Sequence, residues 1–522
     1  MKKKGMGWAS VLALLLSLPA WASPPGTTAD HSRFTQLHQP FRSGPEVTKA
    51  CLGCHNEAGN QFMKTIHWTW ICPHSEDESL GKAGKSLNNF CISIPGNEAR
   101  CTSCHAGYGW KDASFDFSKE ENIDCLVCHE QTGSYEKYPS GAGHPVDKST
   151  RFPENGKVFE PPDWNTAAQS VARPSRDNCG VCHFYGGGGD GVKHGDLDSS
   201  LFNPSRELDV HMSAEGGNFS CTRCHTTVAH KVAGRCYQTP AVQEHKSLLE
   251  DDQTARITCV ACHGDSPHEN TAKLNDHTDK VACQTCHIPA FARELPTKMF
   301  WDWSQAGRMQ DGKPYKEKGA LDRTVYDSKK GVFEWAKNVV PEYAWFRGVI
   351  RNTLVTDTLD PSSVVGVNFV DTAPDEPGAR IYPFKVHRGV QPYDAELKTL
   401  VFPKLFGPKG SGAYWADFNW EKAVAQGMAA AGLPFSGKVG FVETTFRYPI
   451  THMVPPKEKA LSCAECHVRD GSRLAGIGGV YMPGRDSGGP LSQAGWILTA
   501  LSVLGVGVHA LGRTLGRGGK KP

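Results

Sequence analysis

The pentapeptide Cys-x-x-Cys-His occurs eight times in this 522-residue chain. The copies take sixteen of the 19 cysteines, and chance placement of 19 Cys and 22 His would produce far fewer than one copy. Zinc knuckles and disulfide frameworks also use paired cysteines, but neither needs a histidine directly after every second cysteine or an invariant two-residue gap. The pattern is that of haem c attachment, in which two thioethers hold the porphyrin edge and the adjacent histidine offers an axial nitrogen to iron. Eight covalent haems c are therefore expected. Their attachment residues are Cys51, Cys54 and His55; Cys101, Cys104 and His105; Cys125, Cys128 and His129; and Cys179, Cys182 and His183. The remaining four sets are Cys221, Cys224 and His225; Cys259, Cys262 and His263; Cys283, Cys286 and His287; and Cys463, Cys466 and His467. A chain holding this many haems moves electrons.

Spacing sets the organisation. Residues 23–290 carry the first seven motifs, which leaves room only for short helices and loops between them. Residues 291–450 are haem-poor and rich in aromatics (Trp301, Trp303, Trp335, Trp345, Trp415 and Trp420 among them), and they are expected to pack over the haem array and shape a substrate cavity. Residues 451–485 carry the eighth motif. Helical patterning is clearest over 414–431, whereas the proline-rich stretch 369–393 reads as loop. The fold class expected is a mainly α, loop-rich multihaem cytochrome c with little sheet, plus a single C-terminal transmembrane helix.

Both ends bear on location. Lys2, Lys3 and Lys4, the apolar run that follows, and Ala20-Trp21-Ala22 make residues 1–22 a Sec-type signal peptide. Residues 494–511 form an apolar stretch just long enough to span a bilayer, after a Gly- and Ser-rich linker at 486–493. The basic tail 512–522, with Arg513, Arg517, Lys520 and Lys521, favours the cytoplasmic side. The haem region is thus expected on the periplasmic face of a bacterial inner membrane, anchored by the C-terminal helix. His509 lies within the span, where it could face a haem-bearing membrane partner, although a position near the interface without a role fits it equally. The formal net charge of +2 offers no basic patch for nucleic acid, and haem propionates would make the holoprotein acidic.

Axial ligands distinguish a wire from a catalyst. A haem with two strong protein ligands transfers electrons, and one with an open or labile position can bind substrate. Besides the motif histidines His55, His105, His129, His183, His225, His263, His287 and His467, fourteen histidines remain. His67, His194, His211, His230, His268, His277 and His452 stand where distal ligands are expected, close before or after motifs. Seven candidates for eight distal positions leave one haem without an obvious histidine, and that haem is the expected active site. A lysine nitrogen can ligate iron when it is held neutral, as burial favours. Lys137, in the turn-rich segment SYEKYPSGAGHP after the third motif, is such a lysine.

The motif order, HWTW at His67, NNFCI at Asn88, YEKYPSGAGHP at Tyr135, CHFYGGGGDGVKHGDLD at Cys182, LNDHTDKVACQTCHIP at Leu274 and KGVFEWAKNVVPEYAWFRG at Lys330 resemble the octahaem tetrathionate reductase family over residues 45–470. That family is related to hydroxylamine oxidoreductases and pentahaem nitrite reductases. The resemblance implies an active-site haem, second along the chain, with a lysine axial ligand, the others being bis-histidine. Carried over, that haem is bound by Cys101, Cys104 and His105, with Lys137 as the lysine. The resemblance also implies a calcium site near the active haem, which no loop announces. His144, just after the Lys137 loop, is a candidate proton donor, because its ordinary pKa suits neutral pH. Lys148 and Arg151 are candidates for attracting an anion. Outside the motifs stand Cys72, Cys91 and Cys236, expected to give one disulfide and one buried thiol in an exported protein. A sharper alternative places a thiol where it attacks the S–S bond of tetrathionate.

The function expected is terminal reduction of a small inorganic anion, tetrathionate foremost and nitrite or hydroxylamine as further substrates. Electrons would come from the quinol pool through a quinol-linked membrane cytochrome or another donor. The alternatives are a non-catalytic electron-transfer cytochrome and a hydroxylamine-oxidising enzyme. The C-terminal span departs from the soluble members of the resembled family.

Overall fold

The computed structural model describes residues 29–73, 75, 79–87, 93–234, 257–486 and 489–516. The signal-peptide segment, Cys91, Cys236 and the tail beyond residue 516 lie outside the described residues.

The first half of the chain makes little regular structure. Its longest described helix is α1 (Gly44–Leu52), started by Ser43, whose hydroxyl accepts from the Glu46 amide, and by a proline in its first turn. Helix α2 (Arg176–His183) opens with a Ser175–Asn178 capping box and ends on a motif histidine. Most other motifs form a single helical turn, such as Leu126–His129, Val260–His263 and Cys283–His287. A helical turn sets residues three apart on one side, so the two cysteines of a motif present their thiols to the same space.

The second half is different. Nine strands build one sheet: β1 (Thr297–Asp302), β2 (Lys316–Lys318), β3 (Thr324–Asp327), β4 (Gly331–Ala336), β5 (Glu342–Phe346), β6 (Val365–Gly366), β7 (Arg380–Asp394), β8 (Thr399–Leu400) and β9 (Val439–Pro449). Their order is β6-β9-β7-β1-β4-β3-β2, with β5 and β8 also paired to β7. The spine is the antiparallel β7–β9 ladder, in register from Phe384↔Pro449 to Asp394↔Val439. Strand β9 alternates, with Val442, Thr444, Phe446 and Tyr448 buried and the residues between them more open, the signature of a half-buried strand. Strand β7 is buried on both faces along most of its length, as its central place requires.

This sheet corrects the expectation of a mainly α fold and of a loop over 369–393. Prolines misled the reading, because they usually exclude a central strand. Pro383 and Pro392 both sit inside β7, and the carbonyl of Pro383 still accepts from the Ile450 amide at 3.0 Å. The aromatics of the haem-poor region form the core of this half rather than only a lid. Trp303 is fully buried and Trp301 stacks on it at 4.7 Å, while Tyr414 stacks on Trp420 at 3.9 Å at the start of α3 (Trp420–Ala430).

The chain ends in α4 (Pro490–Gly516). It starts earlier than the expected span, because Pro490 serves as a first-turn residue, so the last part of the expected linker is helical. The stretch Ser492–Gly516 has a mean hydropathy of 1.7 over its most apolar window, and none of that window is buried among the described residues. It is long and apolar enough to cross a membrane.

The sheet half has a conventional side-chain core, so it should respond to conventional core surgery. Trp303→Ala is expected to cost about 3–5 kcal/mol, measurable as a lowered denaturation midpoint of the sheet signal in circular dichroism.

Candidate functional site

One continuous cavity of about 5820 Å³ threads the molecule, and all sixteen motif cysteines line it. Seven of the eight motif histidines line it too; the exception is His105.

Each of those seven faces a second histidine from elsewhere in the chain. The ring centroids are 6.3 Å apart for His55 and His31, 6.5 Å for His129 and His230, and 6.1 Å for His183 and His67. They are 6.2 Å for His225 and His452, 6.1 Å for His263 and His211, 6.1 Å for His287 and His268, and 6.0 Å for His467 and His277. A ring bound through nitrogen to a first-row metal at about 2 Å puts its centroid roughly 3 Å away, so two rings on opposite sides of one metal stand about 6 Å apart. These residues therefore fit covalently held haem c with iron between paired imidazoles. Their Nδ1 atoms point away to local partners: His129 to Ala172 O, His225 to Ala233 O and His467 to Pro483 O, each at 2.8 Å, and His277 to Lys273 O at 2.9 Å. Such hydrogen bonds fix the tautomer and leave Nε2 for a metal. Burial pushes the His183 imidazole down to about 3, which keeps it neutral, as a ligand must be.

Sequence reasoning placed six of the seven facing histidines. It included His194, whose ring instead lies 5.2 Å from Tyr448, and it omitted His31, which stands opposite His55. His194 follows its motif across a glycine run that carries it into the sheet half, where burial pushes its imidazole down to about 3. No local signal marks His31, because the residue facing a motif is chosen by tertiary contact.

The second motif is built differently. His105 is fully buried, and its Nε2 donates to Trp68 O at 2.7 Å. Trp68, Trp70, Trp110, Phe115 and Phe117 enclose its ring, and Nδ1 has no partner among the described residues. The sequence expectation had His105 at the metal. The structure turns it into an aromatic cage behind the cavity wall, with Nε2 already engaged. Lys137 stands beside the same motif. Its Nζ lies 2.5 Å from His105 O and 2.9 Å from Asp124 Oδ2, and it lines the cavity with Cys101 and Cys104. Asp124 is buried and also accepts from Tyr108 at 2.7 Å and Tyr135 at 2.8 Å. Burial together with that carboxylate holds both phenols well above the usual tyrosine range. Gly143 has φ +91, and a Cβ there would meet Gly107 O, so glycine lets the Lys137 loop close over this wall.

The other expected site residues lie outside the cavity. His144 packs on Tyr108 at 5.3 Å and is not among the residues that line the cavity. Lys148 and Arg151 are exposed, and Arg151 donates to Gly156 O at 2.8 Å. Cys72 is buried. Among the described residues no cluster of three or more His, Cys, Asp or Glu side chains suits a bound metal ion, so no calcium site is assigned.

Thiols of different motifs meet, and this orders the sites. Cys104 and Cys182, Cys51 and Cys125, Cys179 and Cys221, and Cys259 and Cys283 are close enough for one thiol to shift the other's pKa. The neighbouring Cys262 adds to the upward shift of the Cys224 thiol, and Cys466 to that of Cys286. The attachment edges thus form a line from the eighth motif through the seventh, sixth, fifth and fourth to the second.

The bacterial cytochrome c family model matches residues 298–470. An uncharacterized protein of Archaeoglobus fulgidus is 27% identical over 230 residues, covering 36% of this chain and 75% of that protein. Among solved structures, the octaheme cytochrome c from Shewanella oneidensis superposes with a TM-score of 0.73 at 42% identity, covering 84% of this chain and 94% of that one.

The facing pairs make a direct prediction. His31→Ala is expected to convert one low-spin haem to a high-spin form in the electron paramagnetic resonance spectrum, and His194→Ala to leave the low-spin set intact. The reverse result would return His194 to the ligand list.

Proposed function

The chain belongs to the octahaem cytochromes c, and from that premise we propose that it carries eight haems c and is a periplasmic, membrane-anchored terminal reductase of tetrathionate, with nitrite and hydroxylamine as further substrates. One observation carries the reading: seven motif histidines face a second histidine, whereas His105 of the second motif is turned away from the cavity and Lys137, bonded to its carbonyl, stands at the cavity wall beside it. In this reading Cys101, Cys104 and Lys137, rather than His105, would hold the haem at the second motif. The haem supplies electrons and a substrate-binding iron when bound.

The protein's own residues prepare that position. Asp124 and the His105 carbonyl hold Lys137 Nζ in place before any ligand is bound. The tryptophan and phenylalanine cage keeps the His105 ring from competing. Tyr108 and Tyr135 orient the Asp124 carboxylate from the far side. Tetrathionate takes two electrons, its central S–S bond breaks, and two thiosulfates leave, so no proton is required. Nitrite reduction to ammonium needs six electrons and eight protons, which sets a heavier demand on proton supply.

Delivery follows the line of attachment edges. After His467 the chain folds back on the eighth motif: His467 bonds to Pro483 O, and Arg485 donates to the carbonyls of Leu474, Ile477 and Val480. Helix α4 starts directly beyond this knot, so the eighth site is the one tied most closely to the anchor. Electrons from a quinol-linked membrane cytochrome would enter there and run toward the second site, with the first and third sites as a branch.

The deciding experiment is a viologen-coupled assay of the purified holoprotein with tetrathionate, nitrite and hydroxylamine. Turnover is expected, and Lys137→Ala should reduce it at least tenfold and change the spin state of one haem only. No turnover by fully loaded protein would make the chain an electron-transfer cytochrome. Truncation after Pro490 should move the protein from membranes to the soluble periplasmic fraction; retention in membranes would refute the anchor.

A further inference from the structure

Beside the second motif, two buried hydrogen-bond donors without acceptors, from Arg100 and Trp415, stand near the ammonium of Lys330. Arg100 directly precedes Cys101. Its Nη2 donates to Glu154 at 2.8 Å, while Nη1 is buried and unpartnered. Trp415 Nε1 is buried and unpartnered as well. Lys330, in the turn between β3 and β4, sets its Nζ 5.2 Å from the Trp415 ring, and the Arg100 guanidinium lies 5.8 Å from the same ring. All three residues line the cavity together with Cys101.

The convergence is built into the fold. Asn97 accepts from the amides of Leu405 and Phe406 at 2.6 and 3.2 Å and donates to Pro403 O at 3.0 Å. Tyr414 and Trp415 in turn donate their amides to Lys404 O and Leu405 O. The sheet half is thereby latched to the helical turn that carries Arg100 and Cys101. Charges nearby pair off: Arg100 with Glu154, and Lys316 with Asp327 at 3.3 Å. Lys330 makes no ion pair among the described residues, and burial pushes its ammonium below the usual lysine range although the Asp327 and Glu154 carboxylates oppose that shift. Buried donors left without acceptors are costly, and a guanidinium, an ammonium and an indole N–H around one space are matched by an oxyanion.

We propose that Arg100, Lys330 and Trp415 form an oxyanion-binding site that receives the anionic substrate beside the second attachment site. The proposal rests on the reductase reading above and names the residues that select for charge. Phe152 and Phe406, which flank Arg100 at 5.2 and 5.8 Å, limit water around the site. The same donors would suit a porphyrin propionate, the other oxyanion of a haem protein, and the test separates the two.

Tetrathionate is titrated calorimetrically into the fully oxidised holoprotein, where no electrons are present and no turnover occurs. Lys330→Gln and Arg100→Gln should each weaken binding about tenfold, and Lys330→Arg should restore most of it. In the viologen-coupled assay the ratio of KM for nitrite to KM for uncharged hydroxylamine should rise by about the same factor. Unchanged affinity in both glutamine variants overturns the proposal. So does unchanged affinity with a shifted potential of one haem, the mark of a propionate contact. If Arg100→Gln fails to load haem, Lys330→Gln and Trp415→Phe lie far from any attachment cysteine in sequence and carry the test. Binding that depends on Lys330 without turnover would refute the reductase reading and keep the site.

Discussion

Everything in this molecule depends on holding pairs of imidazoles about 6 Å apart across a shared cavity. A motif supplies one ring and two cysteines within five residues, so half of each site is a local structure. The other ring must come from wherever the fold can bring one: His31 to His55 across a short interval, His452 to His225 across most of the sheet half. Such pairs, with covalently bound haem c between them, do the work that apolar side chains do elsewhere. This explains why the first half of the chain needs only single helical turns, while the sheet half, without motifs until Cys463, builds a tryptophan-rich core of its own.

The second motif shows how the same pentapeptide can be put to a different use. Nothing within Cys101–His105 differs in kind from the other seven copies. What differs is its surroundings: an aromatic cage and the Trp68 carbonyl claim the His105 ring, and the 135–144 loop brings Lys137 to the cavity wall. Asp124, held by its two tyrosines, then positions the lysine. In the proposed assignment this is the difference between a relay and a catalyst, and the cation–indole cluster next to Cys101 gives that position its preference for anions.

The sheet half joins these themes. It latches to the second motif through Asn97 and lends Lys330 and Trp415 to the cavity. It also carries the chain back to the eighth motif, whose folded-back segment leads into the long apolar helix. The site proposed for chemistry and the site tied to the anchor therefore stand at opposite ends of one line of attachment edges.

Attachment could be read from residues alone, because a thioether site needs its cysteines and histidine within five positions. Most facing histidines were also legible, since His211, His230, His268, His277 and His452 lie within a dozen residues of a motif. The long apolar C-terminal helix was legible for a similar reason, as its composition is a local property. Tertiary structure decided the rest. It chose His31 over His194, turned His105 out of the cavity, set Lys137 against Asp124, and made a central strand of a segment whose prolines read as loop. In each case the outcome depends on which distant group satisfies a buried nitrogen, ring or strand edge, and no spacing within the sequence encodes that choice.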